Sequence, residues 1–278
     1  MKKVKLIIGM IAISSIGLFT TSCNKTADTL EESTFSAQDD VLAEQVYDNV
    51  SDLADEAYDL KTIGLKSTDG GERLFLGDCA TVTLDTTVSP RELTIDFGEE
   101  NCLCNDGRYR RGKIIITFTG RYRMPGTVIT HGFDNYYVND NKIEGTKVVT
   151  NMGKNDSGHT YFTIEVVGVI YKANDGGTIS WNSSREREWV DGEDTRFRRD
   201  DVYLITGTAD GIRANGETWT KEIVNALRVE LNCRYIVSGT MEIQPENRPL
   251  RILDYGDGEC DNIATVLING VTYTIYLH

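Results

Sequence analysis

The sequence predicts an all-β fold: an antiparallel meander of long hairpins, built as a sandwich or a strongly curved sheet, with one N-terminal amphipathic helix. Three observations carry that expectation. From Cys79 onward, stretches of alternating apolar and polar residues follow one another, the pattern of strands with one buried face. Between them stand the turn sequences Asn139-Asp140-Asn141, Asn174-Asp175-Gly176-Gly177, Asn215-Gly216 and Asn269-Gly270. Asn-Gly pairs supply the positive φ of tight hairpin turns, and such short turns leave no room for the crossovers of a parallel sheet. A helical period appears only ahead of Cys79.

Residues 1–22 read as a lipoprotein signal peptide. Met1-Lys2-Lys3-Val4-Lys5 is basic, Leu6 to Phe19 is apolar, and Thr20-Thr21-Ser22 is small. That is the three-part order of a secretory signal. The apolar stretch is short of the roughly 20 residues that cross a bilayer. Cys23 ends a lipobox-like sequence, with Thr20 where an aliphatic residue is commoner, and is the expected lipidation site. Anchoring takes more than one acyl chain (palmitate is the usual kind), because a single chain attaches only marginally. Asn24 follows, without the aspartate that in some bacteria retains lipoproteins at the inner membrane. The expected location is the outer membrane, lipid-anchored, on its periplasmic or cell-surface face.

Residues 23–35 are polar and read as a tether. Over 36–61, Val46, Val50, Leu53, Ala57 and Leu60 recur at spacings of four, three, four and three, one face of a helix. Ser36 with Asp39 resembles an N-terminal cap. The opposite face carries Asp39, Asp40, Glu44, Asp48, Asp52, Asp55, Glu56 and Asp59. The plain expectation is a solvated acidic face; the sharper one is a strip that attracts cations or a partner. Residues 62–78 read as a linker.

Residues 79–278 make the β domain. In Lys113–Arg123, Ile114, Ile116, Phe118 and Tyr122 alternate with polar residues. In Tyr161–Tyr171 the set Phe162, Ile164, Val166, Gly168 and Ile170 is non-polar throughout, so that face is expected to be buried. The two ends of the domain repeat one order, over 79–123 and 233–278: cysteine, strand, Asp-aromatic-Gly turn, cysteine, strand. Asp96-Phe97-Gly98 stands four positions before Cys102, and Asp254-Tyr255-Gly256 four before Cys260. The repeat predicts two disulfides, Cys79–Cys102 and Cys233–Cys260, in keeping with an oxidising compartment. Cys104 is left over; it competes with Cys102 for Cys79, and a redox or metal role for the Cys102-Leu103-Cys104 pair is the alternative.

Several stretches resemble a family of uncharacterised Bacteroidetes lipoproteins over roughly residues 79–278: Thr94-Ile95-Asp96-Phe97-Gly98, Phe133-Asp134-Asn135-Tyr136-Tyr137-Val138-Asn139, Gly207-Thr208-Ala209-Asp210-Gly211 with Ala214-Asn215-Gly216, and Leu231-Asn232-Cys233-Arg234. The resemblance implies export. It carries over no activity and no site residue.

Composition narrows the function classes. The formal charge is -14, and removal of the signal takes Lys2, Lys3 and Lys5 and no acid, making the mature chain more negative still. Nucleic acid is therefore not an expected partner, since its binding proteins need clustered Lys and Arg, and the membrane is expected to be met through the lipid anchor alone. His131, His159 and His278 stand in no HExxH spacing, and no GxSxG elbow or Gly-Lys-Ser/Thr phosphate loop occurs. No catalytic residue and no metal ligand is assigned. Trp181, Trp189 and Trp219 are the candidate ligand-binding residues, as aromatic faces for stacking on sugar rings; buried core is the ordinary fate of tryptophan, and Trp189, among Arg185, Glu186, Arg187, Glu188 and Asp191, is expected to be the most exposed. Calcium is a candidate ligand of the Asp/Asn-rich loops 139–141, 174–177, 191–194 and 254–261, though turns favour the same residues for backbone reasons. The expectation is a non-enzymatic lipoprotein whose β domain binds a glycan or an envelope protein. The alternatives are a carrier of an apolar molecule and a glycan-active hydrolase.

Overall fold

The computed structural model describes residues 25–62, 75–121, 123–195 and 197–277. Cys23, the signal peptide and most of the expected linker lie outside them. Helix α1 (Lys25–Thr62) comes first. Strands follow in order: β1 (Thr81–Asp85), β2 (Arg91–Asp96), β3 (Cys102–Leu103), β4 (Tyr109–Phe118), β5 (Val128–Val138), β6 (Asn141–Lys154), β7 (Thr160–Tyr171), β8 (Thr178–Asp191), β9 (Val202–Ile212), β10 (Thr218–Glu230) and β11 (Ile236–Pro245). The chain ends in β12 (Arg251–Asp257), β13 (Ile263–Ile268) and β14 (Val271–Tyr276).

All the strands belong to one antiparallel sheet that runs in chain order from β1 to β14, with the two-residue β3 paired beside β4. The meander is as expected, and of the two architectures it is a single open sheet rather than a sandwich. The helix begins at Lys25, earlier than Ser36: residues 25–35, read above as a tether, have helical backbone. No glycine or proline interrupts the chain between Lys25 and Ile63, so nothing stops the helix there.

The sheet curls around α1. Glu44, Tyr47 and Asn49 lie within about two turns of the helix, an axial run of ~7.5 Å. From that short span Glu44 reaches Lys221 on β10, Tyr47 reaches Glu144 on β6, and Asn49 reaches Arg110 on β4. Six strand spacings separate β4 from β10, ~29 Å across if flat. One helix ~10 Å wide meets them all only if the sheet wraps it. Glycines inside strands permit the bend. Gly145 (φ +111°) and Gly207 (φ +122°) would each place a Cβ about 2 Å from a carbonyl of the next strand, Val167 and Ser184.

The inner face is the core. Ala43, Val46, Tyr47, Val50, Leu53, Ala54 and Ala57 of the helix pack on Leu93, Ile95, Ile114, Ile116, Phe118, Val149, Ile164, Val166 and Ile170 of the strands. Gly168 is glycine because Tyr47 lies on it: a Cβ there would sit 2.1 Å from the Tyr47 hydroxyl oxygen, which donates to the Glu144 carbonyl at 2.9 Å. Past the helix the same face continues as a second apolar cluster of Ile223, Leu227, Met241, Ile243, Leu253, Tyr255 and Ala264.

The repeat is structural as well as sequential. Cys79 is bonded to Cys102 and Cys233 to Cys260, with Cα–Cα distances of 5.9 and 5.8 Å. In each unit the turn aspartate accepts from the glycine two residues on, Asp96 from Gly98 at 2.9 Å and Asp254 from Gly256 at 2.8 Å. Both glycines have positive φ, and the aromatic between, Phe97 or Tyr255, is buried. Cys104 remains a buried free thiol. The positive φ of Asn139, Asp140, Asn174, Asp175 and Asn269 accounts for the residue types of those turns.

Candidate functional site

The acidic side of α1 is not simply solvated. Strand alternation puts Arg110, His131, Lys147, Arg185 and Lys221 on the inner face of the sheet, and the helix carboxylates meet them. Glu44 bridges Arg185 at 2.6 Å and Lys221 at 3.3 Å. Asp39 pairs with Lys172 at 2.6 Å and accepts from the Ala214 amide, and Asp59 pairs with Arg123 at 2.9 Å. Glu56 accepts from the amides of Phe75 and Leu76, tying down the chain ahead of β1. Burial alone raises the Glu44 carboxyl; Arg185 and Lys221 more than offset it, so Glu44 titrates below the ordinary carboxylate value. Burial holds the Lys147 ammonium below its ordinary range, and its Nζ donates to the Tyr47 carbonyl at 2.7 Å. The helix and the sheet are thus complementary in charge as well as in apolar surface.

A pocket lies between them. It has a volume of about 40 Å³, room for ~3 waters at 10–15 Å³ each. Ser51 and Asp55 of α1 line it, with His131 of β5, Arg187 and Trp189 of β8, and Asp201 and Tyr203 at the start of β9. Four buried polar atoms here have no hydrogen-bond partner: Ser51 Oγ, His131 Nε2, Arg187 Nε and Trp189 Nε1. Leaving such atoms unsatisfied costs ~1–3 kcal/mol each, and all four belong to residues that line this pocket.

Each of the four has a definite chemical role. His131 Nδ1 lies 3.2 Å from the Lys147 carbonyl, which accepts only, so Nδ1 carries the proton. Burial, then the charge of Lys147, lower the ring's pKa to about 3; the imidazole is neutral at pH 7 and offers the Nε2 lone pair as an acceptor. The Arg187 guanidinium stacks between Phe162 and Tyr203, 4.9 and 4.7 Å from their ring centroids, and presents Nε–H as a donor. The Trp189 ring lies against Tyr203 at 5.5 Å and presents its indole N–H. Ser51 supplies a hydroxyl that donates or accepts.

The sequence-chosen tryptophans separate. Trp181 and Trp219 are 1 % and 3 % exposed and pack on one another at 5.1 Å beneath the Lys221 ammonium. They are core, and present no face to a sugar. Trp189 is half-buried and alone of the three lines the pocket. His131, Ser51 and Arg187 were not singled out as site residues. The available signal was a histidine in an inward register, two positions after Ile129.

Among the described residues no group of three or more His, Cys, Asp or Glu is arranged to hold a metal. The 254–261 loop does line a shallow depression with Asp254, Asp257, Glu259 and Asp261. Two of these acids serve their own turns, Asp254 accepting from Gly256 and Asp261 from the Ile263 amide at 2.9 Å. Arg108 and Arg110 both pair with Asp106, and Arg111 with Asp140. Comparison with protein-family models, with curated proteins and with solved structures finds no match.

Proposed function

We propose that this chain is an exported outer-membrane lipoprotein, anchored through Cys23, whose β domain is a non-catalytic binding module for a hydroxyl-rich ligand such as the end of a glycan. The observation that carries the reading is the pocket with four unpartnered polar atoms. Two are N–H donors, one is a lone-pair acceptor and one is a hydroxyl, a mixed set that suits hydroxyl groups, which donate and accept at once. The pocket is too small to enclose a sugar ring. Hydroxyls enter it in place of water, and the ring rests at the mouth near Trp189 and Tyr203.

An apolar cargo is disfavoured over the first core cluster, where α1 packs into the inner face that a carrier would leave open. The test is titration of the protein with a panel of mono- and oligosaccharides, followed by tryptophan fluorescence and calorimetry, with and without calcium. Saturable binding to one glycan class, abolished in Trp189→Phe and Arg187→Leu and kept in Trp219→Phe, is the expected result. A flat response throughout the panel refutes the reading. Anchoring is tested separately: Cys23→Ala is expected to leave the membrane fraction.

A further inference from the structure

The last hairpin stands apart from the rest of the molecule in charge. A quarter of the chain, 26 %, is charged, yet no residue from Asn262 to Leu277 is. This stretch forms β13 and β14, and among the described residues β14 pairs only with β13. Free edge strands are normally blunted by lysine, proline or a bulge. β14 has none of these, and reads Val-Thr-Tyr-Thr-Ile-Tyr. Tyr276 is 62 % and Val271 50 % exposed, and Ile263 and Leu267 are exposed beside them.

The backbone at this edge can be assigned. The Leu277 amide donates to the Asn262 carbonyl at 2.8 Å. In an antiparallel ladder hydrogen-bonding direction alternates along the strand. Residues 271, 273, 275 and 277 therefore turn their amides and carbonyls toward β13, while Thr272, Thr274 and Tyr276 turn theirs outward. The internal repeat shows what belongs there. By the repeat β4 corresponds to β13, and so β5 to β14; the outer edge of β5 is covered by the antiparallel strand β6. Among the described residues no strand pairs with the outer edge of β14.

We infer that a second copy of the chain covers it: β14 adds to β14 antiparallel about a two-fold axis, joining two sheets into one. Centring the axis on Thr274 pairs Thr272 with Tyr276 of the partner and Thr274 with its own counterpart. All the outward amides and carbonyls of Thr272, Thr274 and Tyr276 are then satisfied. The same register sets Tyr273 opposite the partner's Ile275 on the inner face, an aromatic–β-branched pair of the stabilising kind. A strand without charge meets itself with no like-charge repulsion, in a molecule that is otherwise strongly acidic. A two-fold pair also occupies the β14 edge of both copies, so this contact closes on itself and adds no third copy. This inference does not depend on the pocket or its ligand.

The test is sedimentation velocity on the full chain in detergent micelles, for the wild type and Thr274→Pro. Proline at an outward-facing edge position removes only the intermolecular donor and is tolerated by the fold, which circular dichroism verifies. The wild type is expected to be a dimer and Thr274→Pro a monomer. Register is read by oxidative cross-linking in a Cys104→Ser background. Thr274→Cys places two cysteines ~5.5 Å apart across the axis, inside disulfide range, and is expected to give at least ten-fold more covalent dimer than Val271→Cys. A monomeric wild type, a ladder of larger species, a Thr274→Pro dimer, or equal cross-linking at both positions would each overturn the inference.

Discussion

Glu44→Gln tests whether the acidic helix is held by the sheet's cations. The change keeps the shape of the side chain and removes its charge. Glu44 joins two cations whose side chains are almost fully buried, Arg185 at 6 % and Lys221 at 2 % exposure, while itself being 22 % exposed. Removing one partner of a buried ion pair costs about 3–5 kcal/mol, because the remaining charge is left uncompensated. The partial exposure of Glu44 places the expectation at the low end, about 3 kcal/mol, out of a total stability on the order of 5–15 kcal/mol. For a domain of this size that lowers the melting temperature by roughly 6–12 °C. Urea unfolding at pH 7, followed by circular dichroism, is the assay. Lys221→Met in the Glu44→Gln background is expected to restore part of the loss. Glu44 titrates below its unfolded value, so its contribution is fully present above about pH 4.5 and is lost as pH falls through the lower folded value. The difference between the two proteins is therefore expected to close on acidification. A loss under about 1 kcal/mol at pH 7, as for an ordinary solvent-facing side chain, would refute the ionic docking of α1.

Three further outcomes follow from the same packing. His131 binds its proton in the unfolded chain near pH 6.5 and in the folded one only near pH 3, so stability is expected to fall as pH drops between those values, by as much as ~4–5 kcal/mol; His131→Gln should flatten that slope in a pH series of urea melts. Gly168→Ala drives a methyl into Tyr47 and is expected to cost ~1–3 kcal/mol by thermal melting, with a smaller penalty when made in Tyr47→Ala. Loss of the Cys233–Cys260 bond, which spans 27 positions, is expected to cost about 3.5 kcal/mol on the loop-entropy estimate, measured on Cys233→Ala/Cys260→Ala by denaturant unfolding.

Much of this was legible in the linear chain, because the interactions responsible are local or periodic. Hairpin turns demand positive φ and select Asn and Gly, so Asn139, Asn174 and Asn269 marked where strands end. Alternation in Thr160–Tyr171 marked a buried face, and the repeated Asp-aromatic-Gly turn marked which cysteines share a unit. What faces what across the core was not legible. The acids of α1 had the spacing of a solvated surface, and only curling of the sheet brings Arg185 and Lys221, distant in sequence by more than 140 residues, to Glu44. The same curling buried Trp181 and Trp219, left Trp189 at the pocket, and set Ser51 near His131. Sequence determines the strands, the turns and the disulfide units because their causes lie within a few residues. Tertiary structure alone decides the charge pairing, the fate of each tryptophan and the pocket, because these depend on which side of one sheet closes around the helix.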